Sequence, residues 1–228
     1  MRITLLCNCG LAVECSGAVL LVDVPNGSAP PFYRLPADAW QRIVERQPPY
    51  DRLAGIYITH QHSDHCDLDA LRAFQRRWPD VPCLLPSEEA PRGSVGLGPF
   101  TVEYEAFPHA PIPNPPLHRV TWIRAGERCI YLAADAALEP EAHRAFLRGR
   151  KADAAFFNAM YLSRPDTRRL LREAAAQCYI YHMPREGKGR EIWAKCRRNL
   201  ERYPEELAQV SVLGNYPTVL EFPEANLL

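Results

Sequence analysis

With 228 residues, 47% of them hydrophobic, the chain is long enough for one substantial core and too short for two enzyme domains and a linker. A single domain over residues 1–228 is therefore predicted. Its 27 Lys and Arg balance 27 Asp and Glu, so the overall basic excess that nucleic-acid binding needs is missing.

No run reaches the roughly 18 apolar residues of a membrane span. Arg2, Asn8 and Glu14 interrupt the apolar N-terminal stretch, which argues against an export signal and predicts a cytoplasmic protein. The eight cysteines are then expected to be reduced and packed as small apolar side chains. Cys7 and Cys9 lack the second pair that a structural zinc site requires. A small molecule is the expected partner, nucleic acid and membrane are not, and the oligomeric state stays open, with a homodimer as one option.

In chain order, residues 3–7, 11–15 and 18–22 read as an antiparallel meander ending at Asp23. Prolines at 25, 30, 31 and 36 make the next segment a loop. Trp40, Ile43 and Val44 recur at helical spacing over 38–47. Residues 54–58 form a short apolar run that reads as a buried strand, and Asp67 is placed to cap a helix whose inner face carries Leu71, Phe74 and Trp78. Strands follow at 81–85 and 100–107, then a hairpin of 120–123 with 129–133. Further expected elements are a helix over 139–148, a strand over 154–161, a helix over 166–177, a strand over 178–181 and a helix over 187–202. Residues 210–213 and 218–222 are predicted to close the chain as a hairpin. Helices with apolar faces interleaved with strands suggest two sheets covered outside by helices.

The chemistry concentrates directly after the strand at 54–58, in Thr59-His60-Gln61-His62-Ser63-Asp64-His65. His60 and His62, two apart at a sheet edge, can reach one cation, while Asp64 and His65 can face a second. Imidazole nitrogen with carboxylate oxygen suits zinc, iron or manganese far better than calcium or magnesium. Three further residues, His109, Asp135 and His182, each follow a predicted strand within two residues.

H-x-H-x-D-H resembles the signature of the metallo-β-lactamase superfamily, and His-Ser-Asp-His-Cys-Asp is most similar to its branch of small cytosolic hydrolases that includes the ascorbate-6-phosphate lactonase type. The resemblance runs from about Asp23 to His182. It implies an α/β fold, a four-layer αββα sandwich of two mixed sheets covered by helices. It also implies a dinuclear site, with His60, His62 and His109 on the first metal, Asp64, His65 and His182 on the second, and Asp135 bridging. Asp23 and Asp67 would support ligands from outside the coordination sphere. The loop at 25–36 would border the metals, making Phe32, Tyr33 and Arg34 candidate substrate contacts or else parts of a surface loop pinned by its prolines.

Two divalent transition-metal ions, zinc first and manganese or iron next, would lower the pKa of a bridging water from about 15.7 towards 7. The resulting hydroxide would be the nucleophile of a hydrolase, with Asp64 and Asp135 as the catalytic carboxylates. Segment 164–202 carries 11 Lys and Arg against 5 Asp and Glu. Arg185 and Lys188, just after His182, and Asn158 and Tyr161, at a strand end, are candidate substrate-binding residues for a small anionic phosphodiester or a lactone or other ester. Two alternatives stay open: a mononuclear iron enzyme of another reaction class, and a non-enzymatic metal-loaded scaffold with an Arg-rich docking face.

Overall fold

The apolar runs of this sequence pair into two sheets that lie face to face. A computed structural model describes residues 1–27 and 29–223; Ser28, within the predicted loop, lies outside them. The strands are β1 (Arg2–Leu5), β2 (Leu11–Cys15), β3 (Ala18–Val22), β4 (Leu53–Tyr57), β5 (Cys83–Leu84), β6 (Arg92–Leu97), β7 (Phe100–Phe107), β8 (His118–Ala125), β9 (Arg128–Ala134), β10 (Ala152–Phe157), β11 (Ala175–Ile180), β12 (Val210–Val212) and β13 (Thr218–Glu221). The helices are α1 (Ala37–Val44), α2 (Leu68–Arg77), α3 (Pro140–Leu147), α4 (Pro165–Ala174) and α5 (Arg190–Arg202).

The first sheet has the order β13-β1-β2-β3-β4-β5 and the second β12-β11-β10-β9-β8-β7-β6. Both are mixed. The predicted meander is antiparallel, and β3 then pairs parallel with β4; β8 and β9 are antiparallel, whereas β10 lies parallel to β9 and to β11.

Period-2 alternation sorts the side chains into layers, and because both faces of each sheet are covered the strands read as nearly unbroken apolar runs. Ile3, Leu5, Leu20, Ile123, Leu132 and Phe156 meet between the sheets. On the outer face of the first sheet, Leu21 and Ile56 pack against Ile43 of α1 and Leu71 and Phe74 of α2. On the outer face of the second, Ala155 and Phe157 pack against Phe146 of α3 and Leu170 and Leu171 of α4. This is the αββα sandwich. No helix among the described residues is long and apolar enough to cross a membrane.

Two expectations are corrected. The closing hairpin does not exist: β12 joins the second sheet beside β11, and β13 joins the first beside β1, so the intervening turn carries the chain from one sheet to the other. Asp67 does not reach a histidine. Its carboxylate accepts from Ala70 N–H (3.0 Å) at the start of α2 and faces Arg34 at 3.4 Å, so it is a helix cap, a role worth about 1 kcal/mol.

Candidate metal centre

Beyond β4 the chain folds back in a compact turn, with the N–H groups of His65 and Cys66 both donating to His62 O (2.9 and 2.8 Å). Gly27 lies against this turn, its N–H on Ser63 O at 2.5 Å; a Cβ at that position would sit 2.9 Å from the same oxygen, so only glycine fits. The turn presents His60, His62, Asp64 and His65 from the first sheet. β7, β9 and β11 of the second sheet end at Phe107, Ala134 and Ile180 and deliver His109, Asp135 and His182.

All seven meet. The ligating atoms of His60, His62, His109 and Asp135 lie within 4.8 Å of one another, and so do those of Asp64, His65 and His182. Asp135 Oδ2 stands between the groups, 3.7 Å from His60 Nε2, 3.5 Å from His65 Nε2, 3.7 Å from His109 Nε2 and 3.6 Å from His182 Nε2. These separations are too long for hydrogen bonds. They suit donors that share cations at about 2.0–2.2 Å each. His65 Nε2 and His109 Nε2 are moreover buried without any hydrogen-bond partner, a state that native structures rarely leave uncompensated. The residues therefore fit a divalent metal cofactor.

Hydrogen bonds on the far side of the rings fix which nitrogen faces inward. His65 Nδ1 donates to Asp23 Oδ2 (2.8 Å), His109 Nδ1 to Ala110 O (2.8 Å) and His60 Nδ1 to Thr59 Oγ1 (3.1 Å), which turns each Nε2 inward without a proton; that of His60 lies 3.0 Å from His62 Nδ1. Thr59 in turn bonds Asp23 through both its hydroxyl (2.8 Å) and its N–H (2.7 Å). One carboxylate thus orients a ligand in each donor group. Asp23→Asn, which keeps the shape and removes an acceptor, is expected to weaken metal affinity about 10–100-fold; competition titration with a chromophoric chelator measures this, and unchanged affinity would contradict the role.

Burial holds the His60 imidazole well below its usual pKa, with His65 and His118 adding to the effect, so it stays neutral and able to ligate. Burial alone would raise the Asp135 carboxyl, but His182, His65 and His60 outweigh it and hold the group well below the ordinary carboxylate range.

Strand-end reasoning missed two residues. His118 opens β8 opposite Phe107 in the antiparallel register, so a strand start lies at the same sheet edge as a strand end. Its Nε2 accepts from Asp135 N–H at 3.1 Å. Cys9, fully buried, points its Sγ at Asp64 O (3.0 Å), and burial pushes its thiol pKa well up. Both steady ligands from behind. Cys66 packs in the core beneath α2.

Above the centre opens a cavity of about 430 Å³, with His62, Asp64, His109, Asp135 and His182 at its floor. Phe32 forms part of the wall and meets the His182 ring edge-on at 4.4 Å between centroids, whereas Tyr33 packs on Tyr216. The predicted substrate contacts need revision. Arg185 is exposed and leans over the Tyr33 ring at 5.0 Å, Lys188 is exposed, and neither lines the cavity; Lys195, one turn into α5, does. Asn158 lines it, but its Oδ1 caps Met160 N–H (3.0 Å) and its Nδ2 donates to Ala134 O (3.3 Å). Elsewhere in the basic segment, Arg164 pairs with Asp166 and both Arg168 and Arg172 with Glu206, so these three arginines are already engaged away from the cavity.

Tyr161 is fully buried and works behind the Asp135 turn. Tyr131 OH donates to His143 Nδ1 (2.5 Å), His143 Nε2 faces Tyr161 Oη (2.7 Å), and Tyr161 OH donates to Ala137 O (3.1 Å). Burial pushes the His143 imidazole down to about 4. Its folded value is depressed, so its stabilisation is complete above about pH 6.5 and is lost as pH falls towards 4, because the unfolded chain takes up the proton first. At pH 5 the loss is about 2 kcal/mol, or roughly 4–8 °C in Tm for a chain of this length. His143→Gln, which cannot titrate, should show a correspondingly smaller fall in Tm between pH 7 and pH 5; equal falls in both proteins would exclude this role.

Asp23, Ala134 and His182 have left-handed backbone, with φ of 52°, 46° and 56°. Each lies at or beyond the end of a strand that borders the centre.

No family model matches the sequence, and no curated protein does. Solved structures do. The metallo-β-lactamase fold protein YhfI from Bacillus subtilis superposes with a TM-score of 0.65 at 16% identity, over 96% of this chain and 98% of that one. A possible metal-dependent hydrolase from Veillonella parvula gives 0.69 at 14%, over 96% and 98%. The isothiocyanate hydrolase from Delia radicum gut bacteria gives 0.65 at 14%, over 97% and 99%. A likeness that spans nearly the whole of each chain shows that this protein has the metallo-β-lactamase fold.

Proposed function

We propose that this protein is a metal-dependent hydrolase that holds two divalent cations, zinc first with manganese or iron also suiting the donors, and cleaves an ester-type bond in a small molecule. The observation that carries the reading is the convergence of four imidazole nitrogens, two of them buried and otherwise unpartnered, on one Asp135 oxygen at the floor of an open cavity. Held by these residues, such ions would lower the pKa of water towards 7 and polarise the oxygen of the bond to be cut.

The side chains divide the remaining work. Asp135 contributes the one negative charge that faces both donor groups. Asp64 borders the cavity, with its Oδ2 2.9 Å from His182 Nε2. Burial alone would raise its carboxyl, but His182 and His65 hold it below the ordinary range, so at neutral pH it is ionised and can take a proton from water and pass it to the leaving group. The chain needs no serine or cysteine nucleophile for this, and burial pushes the Cys66 thiol up to about 12 and the Cys9 thiol well above its usual value.

The test is turnover by metal-quantified protein of three probe classes: p-nitrophenyl esters, a lactone panel and bis-p-nitrophenyl phosphate. Turnover that chelator abolishes and metal restores is expected. Protein carrying two ions per chain that turns over none of the three would overturn the reading.

A further inference from the structure

Large apolar side chains left in water are informative when they cluster. Among the described residues four are exposed, Ile112 (41%), Met160 (39%), Ile192 (42%) and Val219 (42%), and the first three all line the cavity above the metal centre. They arrive from unrelated places: Ile112 from the loop after His109, Met160 from the short 3-10 turn after β10, and Ile192 from the first turn of α5. Phe32 closes the wall from the loop after β3.

Local packing does not demand this placement, because all three could face solvent as polar residues without loss to the core. Asn158 holds Met160 in position by accepting its N–H, so this part of the wall is fixed in place. Against this apolar surface stands one cation. Lys195, a turn after Ile192, lines the same cavity and makes no ion pair among the described residues. Arg185 and Lys188, which would have suited a phosphate-rich ligand, lie outside it.

We propose that the cavity is a subsite for the apolar body of a carboxylic ester, formed by Phe32, Ile112, Met160 and Ile192, with Lys195 receiving a single negative charge at the outer end. The inference rests on the hydrolase reading above and narrows it from ester-type bonds in general to acyl substrates with a hydrocarbon body and at most one charge. A volume of about 430 Å³ lies in the lower part of the range of small-molecule sites, which sets a compact substrate.

The experiment compares p-nitrophenyl acetate, butyrate and hexanoate, mono-p-nitrophenyl adipate and bis-p-nitrophenyl phosphate on the zinc-loaded protein, together with calorimetric titration of acetate and hexanoate. Each added methylene should raise kcat/KM about fourfold, and hexanoate should bind more tightly than acetate. In Met160→Asp and Ile192→Asp, both at exposed positions that tolerate a polar side chain, the dependence on chain length should flatten in both measurements. Lys195→Glu should reduce kcat/KM for the adipate ester several-fold and leave the hexanoate ester within about twofold.

Equal kcat/KM for acetate and hexanoate in the wild type, or faster turnover of the phosphodiester than of the hexanoate ester, would overturn the subsite while leaving the hydrolase reading intact. If no probe is turned over, the hydrolase reading fails and the titrations decide the subsite alone: hexanoate binding no tighter than acetate overturns it.

Discussion

Asp135→Ala is expected to lower metal affinity by more than about a hundredfold and to bring metal-dependent turnover down with it. The carboxylate is the one anionic group adjacent to both donor sets, within 3.5–3.7 Å of four imidazole nitrogens. Removing it leaves His60 and His109 with no carboxylate in contact, while His65 keeps Asp23 and His182 keeps Asp64. An outer partner of a ligand is worth about 10–100-fold in affinity, so a donor common to both groups must be worth more. The side chain packs against ligands and not in the core, and its backbone N–H stays bonded to His118, so far-ultraviolet circular dichroism should be unchanged. Asp135→Asn separates charge from shape: it keeps an oxygen of the same reach but no negative charge, and should fall between wild type and Ala. Metal content by atomic emission, read beside turnover, gives the answer. Full metal occupancy and turnover in Asp135→Ala would remove the basis of the functional proposal.

Metal removal should be nearly as large an effect, seen in stability. Ligand at a thousandfold excess over its dissociation constant adds about 4.1 kcal/mol to a folded state that alone binds it, and for a chain of this length each kcal/mol moves Tm by about 2–4 °C. Chelation is thus expected to lower Tm by about 8–16 °C for each ion bound that tightly. The unpartnered nitrogens of His65 and His109 give the local reason, since a buried polar atom without a partner costs about 1–3 kcal/mol. Differential scanning fluorimetry with and without chelator, followed by zinc or manganese add-back, measures the shift. A Tm insensitive to both treatments would mean that the seven side chains do not hold a metal.

That these side chains would come together was legible partly from a local rule and partly from the resemblance of H-x-H-x-D-H to the metallo-β-lactamase superfamily, which implied the full set of seven. A buried apolar strand ends at a sheet edge, and His60, His109, Asp135 and His182 each follow such a run closely enough for its end to carry them to that edge. What the rule omits, it omits for physical reasons. His118 is at a strand start, and only the antiparallel register with β7 brings it beside Asp135. β6 escaped notice because Arg92-Gly93-Ser94 exposes its side chains and lacks apolar alternation. The pairing of β12 and β13 with different sheets is a long-range choice that turn chemistry around Gly214 and Pro217 does not encode. Arg185 and Lys188 were misplaced because closeness to His182 along the chain is not closeness in space. The apolar wall was invisible as a unit, since Phe32, Ile112, Met160 and Ile192 are scattered over 160 positions and only the closed sandwich brings them together.

The left-handed residues at Asp23, Ala134 and His182 are unequal targets for anyone improving this protein's resistance to heat. In that conformation an ordinary L-residue is disfavoured by about 1–2 kcal/mol relative to glycine. At 134, whose side chain donates nothing, glycine should relieve that cost and leave the centre whole. At 23 and 182 the same change should cost more than it relieves, because it strips Thr59 and His65 of a buried acceptor or removes one of the converging imidazoles.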